Sequence, residues 1–176
     1  MGGVILRLSD SNIFNLSIGR RVLDSEMSHQ YTIPVYSANV FSPFGHIDKL
    51  LLTDFSTPSV LWGIDGDWMV NTIDANIPFY PTDHCGVLRI KDNKLEPKYA
   101  AWLLLKAGEQ AGFSRNYRAS IERVSGLSIT AAPIEEQRKQ IKIVDELEAK
   151  IASEQQKMDS CLKKKTQIVY DLLGMK

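Results

Sequence analysis

The stretch that decides the organisation of the chain is residues 133–173, PIEEQRKQIKIVDELEAKIASEQQKMDSCLKKKTQIVYDLL. Pro133 suits the first position of a helix, and Glu135 and Glu136 then fall in the first turn, where acidic side chains complement the helix dipole. No other proline and no glycine interrupts the stretch before Gly174. The sequence therefore predicts one continuous helix, which is roughly 57 Å long from Glu135 to Leu172 at 1.5 Å per residue.

A seven-residue repeat of apolar side chains runs along this predicted helix. The a positions are Val144, Ile151, Met158, Lys165 and Leu172, and the d positions are Leu147, Glu154, Cys161, Ile168 and Met175. All but Glu154 and Lys165 are apolar, which favours a coiled-coil seam. An exposed apolar stripe of this length needs a partner helix, because helix propensity alone does not stabilise it. We predict dimerisation through Val144, Leu147, Ile151, Met158, Cys161, Ile168 and Leu172. The alternative is a helix that folds back onto its own domain.

Residues 1–132 have a different character, with short segments separated by Gly, Pro, Asn and Asp. β-branched and aromatic residues predict strands at 4–8, 31–36, 59–62, 68–72 and 85–90. Pro97 and the helical spacing of the apolar residues that follow it predict a helix over 97–107. We therefore predict an α+β protein, with an irregular mixed β domain over residues 1–132 and one long coiled-coil helix over 133–176.

Composition excludes several classes of protein. Apolar residues make up 44% of the chain and charged residues 24%, which is ordinary globular usage. No run of about 18 apolar residues predicts a membrane span, and the apolar start is too short for a signal peptide. Cys85 and Cys161 have no ligand-spaced partner, which suits unpaired thiols in a reducing compartment. We expect a cytoplasmic protein that does not enter a membrane.

The charges are balanced overall but not evenly distributed. Lysine plus arginine and aspartate plus glutamate each total 21, yet the net charge is −4 over residues 1–75, +3 over 76–128 and +1 over 129–176. The middle block contains FSRNYRAS at 113–120, whose arginines, asparagine, serines and tyrosine suit contacts to bases and phosphates. The candidate DNA-binding residues are Arg20, Arg21, Arg115, Asn116 and Arg118. The alternative for the loop is a solvated surface segment.

No enzyme constellation is present in the sequence. Glycine-rich nucleotide-binding motifs are absent, and NIPFY at 76–80 lacks the first proline of the adenine-methyltransferase motif that it superficially resembles. Asp83, His84 and Cys85 are adjacent, so on a strand His84 and Cys85 point to opposite faces and do not share a metal easily. We predict a hydrogen-bonded turn at Asp83 and His84 and a buried Cys85. No catalytic residue, metal site or cofactor is predicted.

Five segments in order resemble the DNA specificity (S) subunits of type I restriction-modification systems. They are IPVYSAN at 33–39, PSVLWG at 58–63, residues 79–90, LEPKY at 95–99 and, most specifically, APIEEQ at 132–137. The resemblance implies a target recognition domain followed by one conserved-region helix. One departure lies in the glycine turn after residue 63, which often carries basic residues in this family but here carries Asp65 and Asp67.

A full S subunit contains two recognition domains and two long helices, whereas this chain has one of each. The resemblance therefore implies a half subunit, or the equivalent C-terminal part of a methyltransferase-specificity fusion. It implies a homodimer through residues 144–175 that reads a bipartite, interrupted target in double-stranded DNA. It also implies a non-catalytic role that directs partner adenine-N6 methyltransferase subunits, together with the restriction subunit, to that target.

Two other functions are compatible with the sequence. The first is a coiled-coil scaffold or antirestriction-like partner of methyltransferase subunits that binds no DNA. The second is a small metal-dependent nuclease that uses Asp65, Asp67 or Asp83. Salt-dependent affinity for duplex DNA separates recognition from the scaffold, and magnesium-dependent cleavage would identify the nuclease.

Overall fold

The computed structural model describes residues 2–174, in which nine strands precede or alternate with three α-helices. The strands are β1 (Val4–Arg7), β2 (Phe14–Ile18), β3 (Ile33–Tyr36), β4 (Gly45–Ile47), β5 (Ser59–Gly63), β6 (Val70–Ile73), β7 (Tyr80–Pro81), β8 (Cys85–Ile90) and β9 (Ser128–Ala131). The helices are α1 (Pro97–Ala111), α2 (Ile121–Ser125), α3 (Ile134–Leu173) and a short 3₁₀ turn, Asp24–Glu26. The predicted α+β class is confirmed.

The strands form three small sheets. The largest has the order β2-β8-β5-β6 and is antiparallel throughout, and β1 pairs only with β9. In the third sheet, β3 lies between β4, which is antiparallel to it, and β7, which is parallel. Ile18 pairs with Gly86, and Gly63 pairs with Cys85. The end of β2, the end of β5 and the start of β8 therefore meet at one end of the four-stranded sheet.

The core lies on both faces of β5, whose five residues are all buried. On one face, Leu61 packs in a buried cluster that includes Val40, Phe79 and Val87. On the other face, Trp62 is fully buried, and its indole N–H donates a hydrogen bond of 3.0 Å to the carbonyl of Ala119. A strand covered on both sides explains why β5 reads as a continuous apolar run rather than as an alternating one.

Gly86 makes room for Trp62 at the centre of this sheet. The two residues are paired across β5 and β8, and a Cβ placed on Gly86 would lie 2.0 Å from Cε2 of the indole. No side chain fits at that distance, so the tryptophan ring packs directly on the backbone of β8. This contact fixes the end of the sheet at which β8 begins.

Gln137, in the first turn of α3, is buried and bonds to three backbone groups, two of which lie about forty positions earlier in the chain. Its side-chain oxygen accepts from the N–H of Glu96 at 2.9 Å, and its amide group donates to the carbonyls of Lys94 (2.9 Å) and Ala132 (2.7 Å). Glu96 precedes α1, so the glutamine satisfies one of the N–H groups that a helix start leaves unpaired. The glutamine of the APIEEQ segment therefore joins the starts of two helices.

The chain divides into two compact units, one ending at Gln137 and the other beginning at Arg138. The second unit is the rest of α3, and all its residues from Asp145 to Gly174 are exposed. Among residues 2–174, no helix is both long enough and apolar enough to cross a membrane.

The predicted helix over 97–107 is too short, since α1 continues to Ala111. Gly112 ends it with a left-handed backbone, at a φ of 79°. The predicted strand over 85–90 is correct at both ends, whereas β2, β4, β7, β9 and α2 were not predicted. Three of these strands have four residues or fewer, so they carry little periodic signal of their own.

Candidate nucleic-acid interface

The five predicted DNA-binding residues lie at the same end of the four-stranded sheet. Arg20 and Arg21 follow the end of β2, while the segment 113–120 joins the turn after β5 through a 3.0 Å hydrogen bond from Ala119 N–H to the carbonyl of Ile64. We call this region the strand-end surface and define it as residues 19–21, 63–69, 82–84 and 113–120. The sheet brings together residues that lie almost a hundred positions apart in the chain.

A tight hairpin presents Arg115 and Asn116 at its tip. Ser114 and Tyr117 exchange two backbone hydrogen bonds of 3.0 Å each, which leaves the two residues between them at the turn. Both side chains are exposed, and within residues 2–174 Asn116 forms no side-chain hydrogen bond. The hairpin therefore holds two side chains suited to base edges in a defined position.

Aromatic packing anchors the hairpin from below. Phe113 is buried, and its ring centroid lies 5.0 Å from that of Trp68, whose indole N–H donates to the carbonyl of Leu105 in α1 at 2.8 Å. Tyr117 stacks on Phe113 at 5.6 Å, and the guanidinium of Arg123 lies 4.1 Å from the centroid of the tyrosine ring. These contacts hold Phe113 and the base of the hairpin against the domain, while residues 114–118 remain exposed.

Arg115 is held in a two-point ion pair with Asp67. Its Nε and Nη2 donate to the two carboxylate oxygens at 3.0 and 3.1 Å, although both side chains are largely exposed. The hydrogen bonds from Arg115 hold the pKa of Asp67 below its usual value and raise the pKa of the guanidinium. Both partners therefore stay charged near neutral pH.

Arg118 is paired in the same way with Asp65. Its Nη2 donates to Oδ2 of the carboxylate at 2.9 Å, and its Nε contacts Oδ1. The Nδ1 atom of His84 contacts the same Oδ2, whereas its Nε2 lies 3.9 Å from Asp83. The imidazole therefore bonds to the turn after β5 rather than to its neighbour in sequence.

Arg20 and Arg21 differ from the loop arginines in having no carboxylate partner among residues 2–174. Their backbone is fixed by Gly19, where a Cβ would lie 1.8 Å from the carbonyl oxygen of Pro81, and by a 3.2 Å bond from the Arg20 N–H to that oxygen. Both side chains are exposed. The backbone of Arg20 and Arg21 is therefore fixed, and their guanidinium groups are available to bind a ligand.

The carboxylates of Asp65 and Asp67, which are candidates for a nuclease site, form ion pairs within the domain. Asp65 and Asp67 bond to arginines, and residues 2–174 contain no cluster of three or more residues suited to a metal ion. The predicted turn before β8 is confirmed, since Thr82 accepts the N–H groups of His84 at 3.2 Å and Cys85 at 3.0 Å. Cys85 is buried, and burial raises its pKa to about 12.

The predicted dimerisation surface is exposed over most of its length. Leu147 is 55% exposed, Ile151 68%, Ile168 59% and Leu172 80%. Met158 and Cys161 are also exposed, Val144 is half-buried, and Met175 lies outside the described residues.

Exposed apolar side chains also continue beyond the two seam positions. Leu162 is 52% exposed and Val169 41%, and both occupy e positions of the repeat. A surface formed by a, d and e positions is wider than the seam of a two-helix coiled coil and suits a bundle of several helices.

Sequence reasoning identified the arginines and the asparagine but not the residues that hold them. From the sequence, Asp65 and Asp67 are a departure from the family pattern and candidate nuclease residues, and the supporting roles of Trp68 and Arg123 are not predicted. Each acidic residue lies about fifty positions from its arginine, and the pairing is visible only when the turn and the hairpin are placed at one sheet end.

Comparison with known families matches residues 7–161 to the type I restriction modification DNA specificity domain. The chain belongs to this family. The family is the non-catalytic component that recognises DNA sequence in restriction-modification complexes, so the resemblance and the non-catalytic class drawn from the sequence are confirmed. No curated protein sequence matches this specificity domain.

Solved structures share the fold of this specificity domain. The S subunit of a type I restriction-modification system from M. genitalium matches with a TM-score of 0.66 and 18% identity, over 90% of this chain and 42% of that one. The HsdS subunit from Thermoanaerobacter tengcongensis matches with a TM-score of 0.62 and 16% identity, over 86% and 39%. A third structure comes from work on complex assembly and conformational transition of the type I restriction-modification system. It matches with a TM-score of 0.62 and 18% identity, over 86% of this chain and 40% of that one. The specificity domain thus spans about two fifths of each solved chain.

Proposed function

We propose that this specificity domain recognises a defined sequence in double-stranded DNA through the strand-end surface. The observation that carries the proposal is the convergence of Arg20, Arg21, Arg115, Asn116 and Arg118 at one end of one sheet. The chemistry and loop position of these residues predict DNA contact, and they come from two segments that are distant in the chain. Arginine and asparagine are the side chains that best match the major-groove edges of guanine and adenine.

The strand-end surface combines an anchored hairpin, which suits base recognition, with two unpaired arginines, which suit phosphate binding. The base of the hairpin is held by the packed rings of Phe113, Trp68 and Tyr117, so its backbone loses little freedom when the tip binds. Arg20 and Arg21 carry uncompensated charge and are suited to phosphates, which give affinity but no sequence information.

We further propose that the domain works as a homodimer in the cytoplasm. The exposed a and d positions of α3 support pairing with a second copy, because an apolar stripe of this length is unfavourable in water. A two-fold pair would present two strand-end surfaces to two half-sites, so the target would be bipartite and palindromic. The wider surface at Leu162 and Val169 leaves room for helices of a partner.

That partner, in this proposal, is an adenine-N6 methyltransferase subunit, joined in the restriction complex by the restriction subunit. The domain itself contains no catalytic constellation within residues 2–174. Methylation at N6 requires the adenine to leave the base stack, which is the task of the partner. The specificity domain would determine which adenine is reached.

The direct test is binding of the full chain to a pool of DNA duplexes with a randomised central segment. We expect enrichment of a defined motif and an affinity that falls steeply as salt concentration rises, because binding releases counterions from the phosphates. R115A is expected to weaken binding to the enriched duplex by about 1–3 kcal/mol. The matched control is R7A, which removes the same exposed charge from the separate β1-β9 sheet.

A chain that forms dimers and binds methyltransferase subunits without salt-dependent affinity for duplex DNA would instead be a scaffold or an antirestriction-like protein. The observation that favours this second candidate is the pairing of both loop arginines with carboxylates, which reduces the net charge of the strand-end surface. Equal affinity of wild type and R115A for every duplex in the pool would remove Arg115 from the interface.

A further inference from the structure

Both loop arginines present the same edge of the guanidinium group to an aspartate. Arg115 uses Nε and Nη2 for Asp67, and Arg118 uses Nε and Nη2 for Asp65. A guanidinium has five N–H donors in a planar fork. Of the N–H groups that remain, one on Nη1 and one on Nη2 point in parallel from the end of the fork and form a second edge. In each arginine, therefore, a carboxylate occupies one edge and leaves the other edge available.

The carboxylates change which DNA groups these arginines favour. Phosphate binding depends mainly on net positive charge and on counterion release, and an arginine that is already neutralised by an aspartate gains little from either. Guanine offers two neutral acceptors, O6 and N7, whose spacing matches the free edge of the fork. A paired arginine thus keeps its geometric match to guanine and loses most of its attraction to the backbone.

Two further features of the structure support the assignment of paired arginines to guanine and of unpaired arginines to phosphate. Arg115 remains 75% exposed although it is paired, so the free edge of its guanidinium is accessible to DNA. Arg20 and Arg21, at the same sheet end, have no carboxylate partner among residues 2–174 and suit the phosphates that the paired arginines do not.

We propose that Asp67 and Asp65 are positioning residues that orient Arg115 and Arg118 to read guanine rather than to bind phosphate. This inference rests on the proposed function, because it assigns a role within the same DNA-binding surface. The two aspartates, which mark the departure of this chain from the basic turns common in the family, thereby become specificity determinants.

The test uses the full chain and its D67N variant, because within residues 2–174 the Asp67 carboxylate pairs only with Arg115, whereas Asp65 also contacts His84. D74N is the matched control, since Asp74 follows β6 at the opposite end of the sheet and carries an exposed carboxylate without an ion-pair partner in the described chain. Each protein is bound to the randomised duplex pool and, separately, to one unselected duplex over a range of salt concentrations.

For D67N we expect affinity for the unselected duplex to rise and the slope of log affinity against log salt to steepen by about 0.9, which corresponds to one added phosphate contact. We also expect its preference for guanine at one position of the enriched motif to fall roughly tenfold or more. D74N removes the same charge but should leave the guanine preference unchanged. R115K keeps the charge without the planar fork, so it should bind the unselected duplex and lose the same guanine preference.

A readout without DNA tests the positioning itself. The Nε–H signal of Arg115 in a heteronuclear NMR spectrum should be a distinct, slowly exchanging peak in wild type and D74N, and it should be lost or broadened in D67N. Its persistence in D67N would show that the aspartate does not position the arginine.

The outcomes separate the two proposals. If the wild-type chain binds neither the pool nor the unselected duplex, the proposed function is wrong and this inference is wrong with it. If wild type enriches a motif while D67N retains both its guanine preference and its salt slope, the inference alone is overturned. Loss of preference at an A·T position instead of a G·C position would also overturn the assignment to guanine.

Discussion

Replacement of Gln137 by methionine is expected to destabilise the domain through lost hydrogen bonds rather than lost volume. Methionine has a similar length and shape, but it supplies neither an amide donor nor a comparable acceptor. The substitution would leave three backbone groups without their present partner: the N–H of Glu96 and the carbonyls of Lys94 and Ala132.

The structure indicates how large the effect should be. Lys94 is exposed and Ala132 is half-buried, so water can partly replace the glutamine at these two carbonyls, at a cost of about 1 kcal/mol each. The N–H of Glu96 lies at the start of α1, beside the fully buried position 137. Loss of its hydrogen bond to the glutamine should cost about 2 kcal/mol. The expected decrease in the free energy of unfolding is therefore about 4 kcal/mol, which is a large part of the stability of a typical domain.

Urea denaturation followed by tryptophan fluorescence measures this difference, with all proteins at the same concentration because dimerisation would contribute to apparent stability. The control is Q155M on the exposed part of α3, where the amide bonds only to Asp159, and we expect a change within about 0.5 kcal/mol. A Q137M variant as stable as the control would refute the claim that these three bonds hold the starts of α1 and α3 together.

Three other changes test the core, the thiols and the helix surface. G86A should lower the free energy of unfolding by about 3 kcal/mol or more in thermal melts, because its methyl group would overlap the ring of Trp62. In native protein near neutral pH, a thiol reagent should label Cys161 but not Cys85, whose raised pKa and burial keep it a protected thiol, and the labelling of Cys161 should slow as dimers form. In sedimentation equilibrium, I151D should weaken the dimer at least a hundredfold, because about 1.5–3 kcal/mol of apolar burial is lost on each of two helices. An unchanged dimer would exclude Ile151 from the interface.

The parts of the fold that the sequence predicted are those with a strong local signal. Helix α3 has a proline at its start, acidic residues in its first turn and a long apolar repeat, so its extent is readable from the chain alone. The strand at 85–90 is marked by β-branched residues and by a turn on its N-terminal side. By contrast, β7 has two residues and β4 three, and both exist only because β3 lies beside them.

The candidate site was predictable in its chemistry but not in its geometry. Composition identified Arg115, Asn116 and Arg118 as a group, since they lie within four positions of each other. The aspartates that neutralise two of them come from a turn about fifty residues earlier, and no local pattern reports such a pairing. The glutamine of APIEEQ is readable as part of a motif, but its bonds to Lys94 and Glu96, about forty positions earlier, are a property of the folded chain.

The pairing of β1 with β9 has a consequence for how the domain is made. Val4 is partnered by Ala131, so during synthesis β1 is made long before the strand that pairs with it. Until then the nascent chain carries an unpaired strand with three apolar side chains, and two of them, Val4 and Ile5, remain exposed even after folding. Contacts this distant in sequence close slowly. During this interval of synthesis, chaperone binding and aggregation with nascent chains on the same messenger RNA compete with folding of the domain.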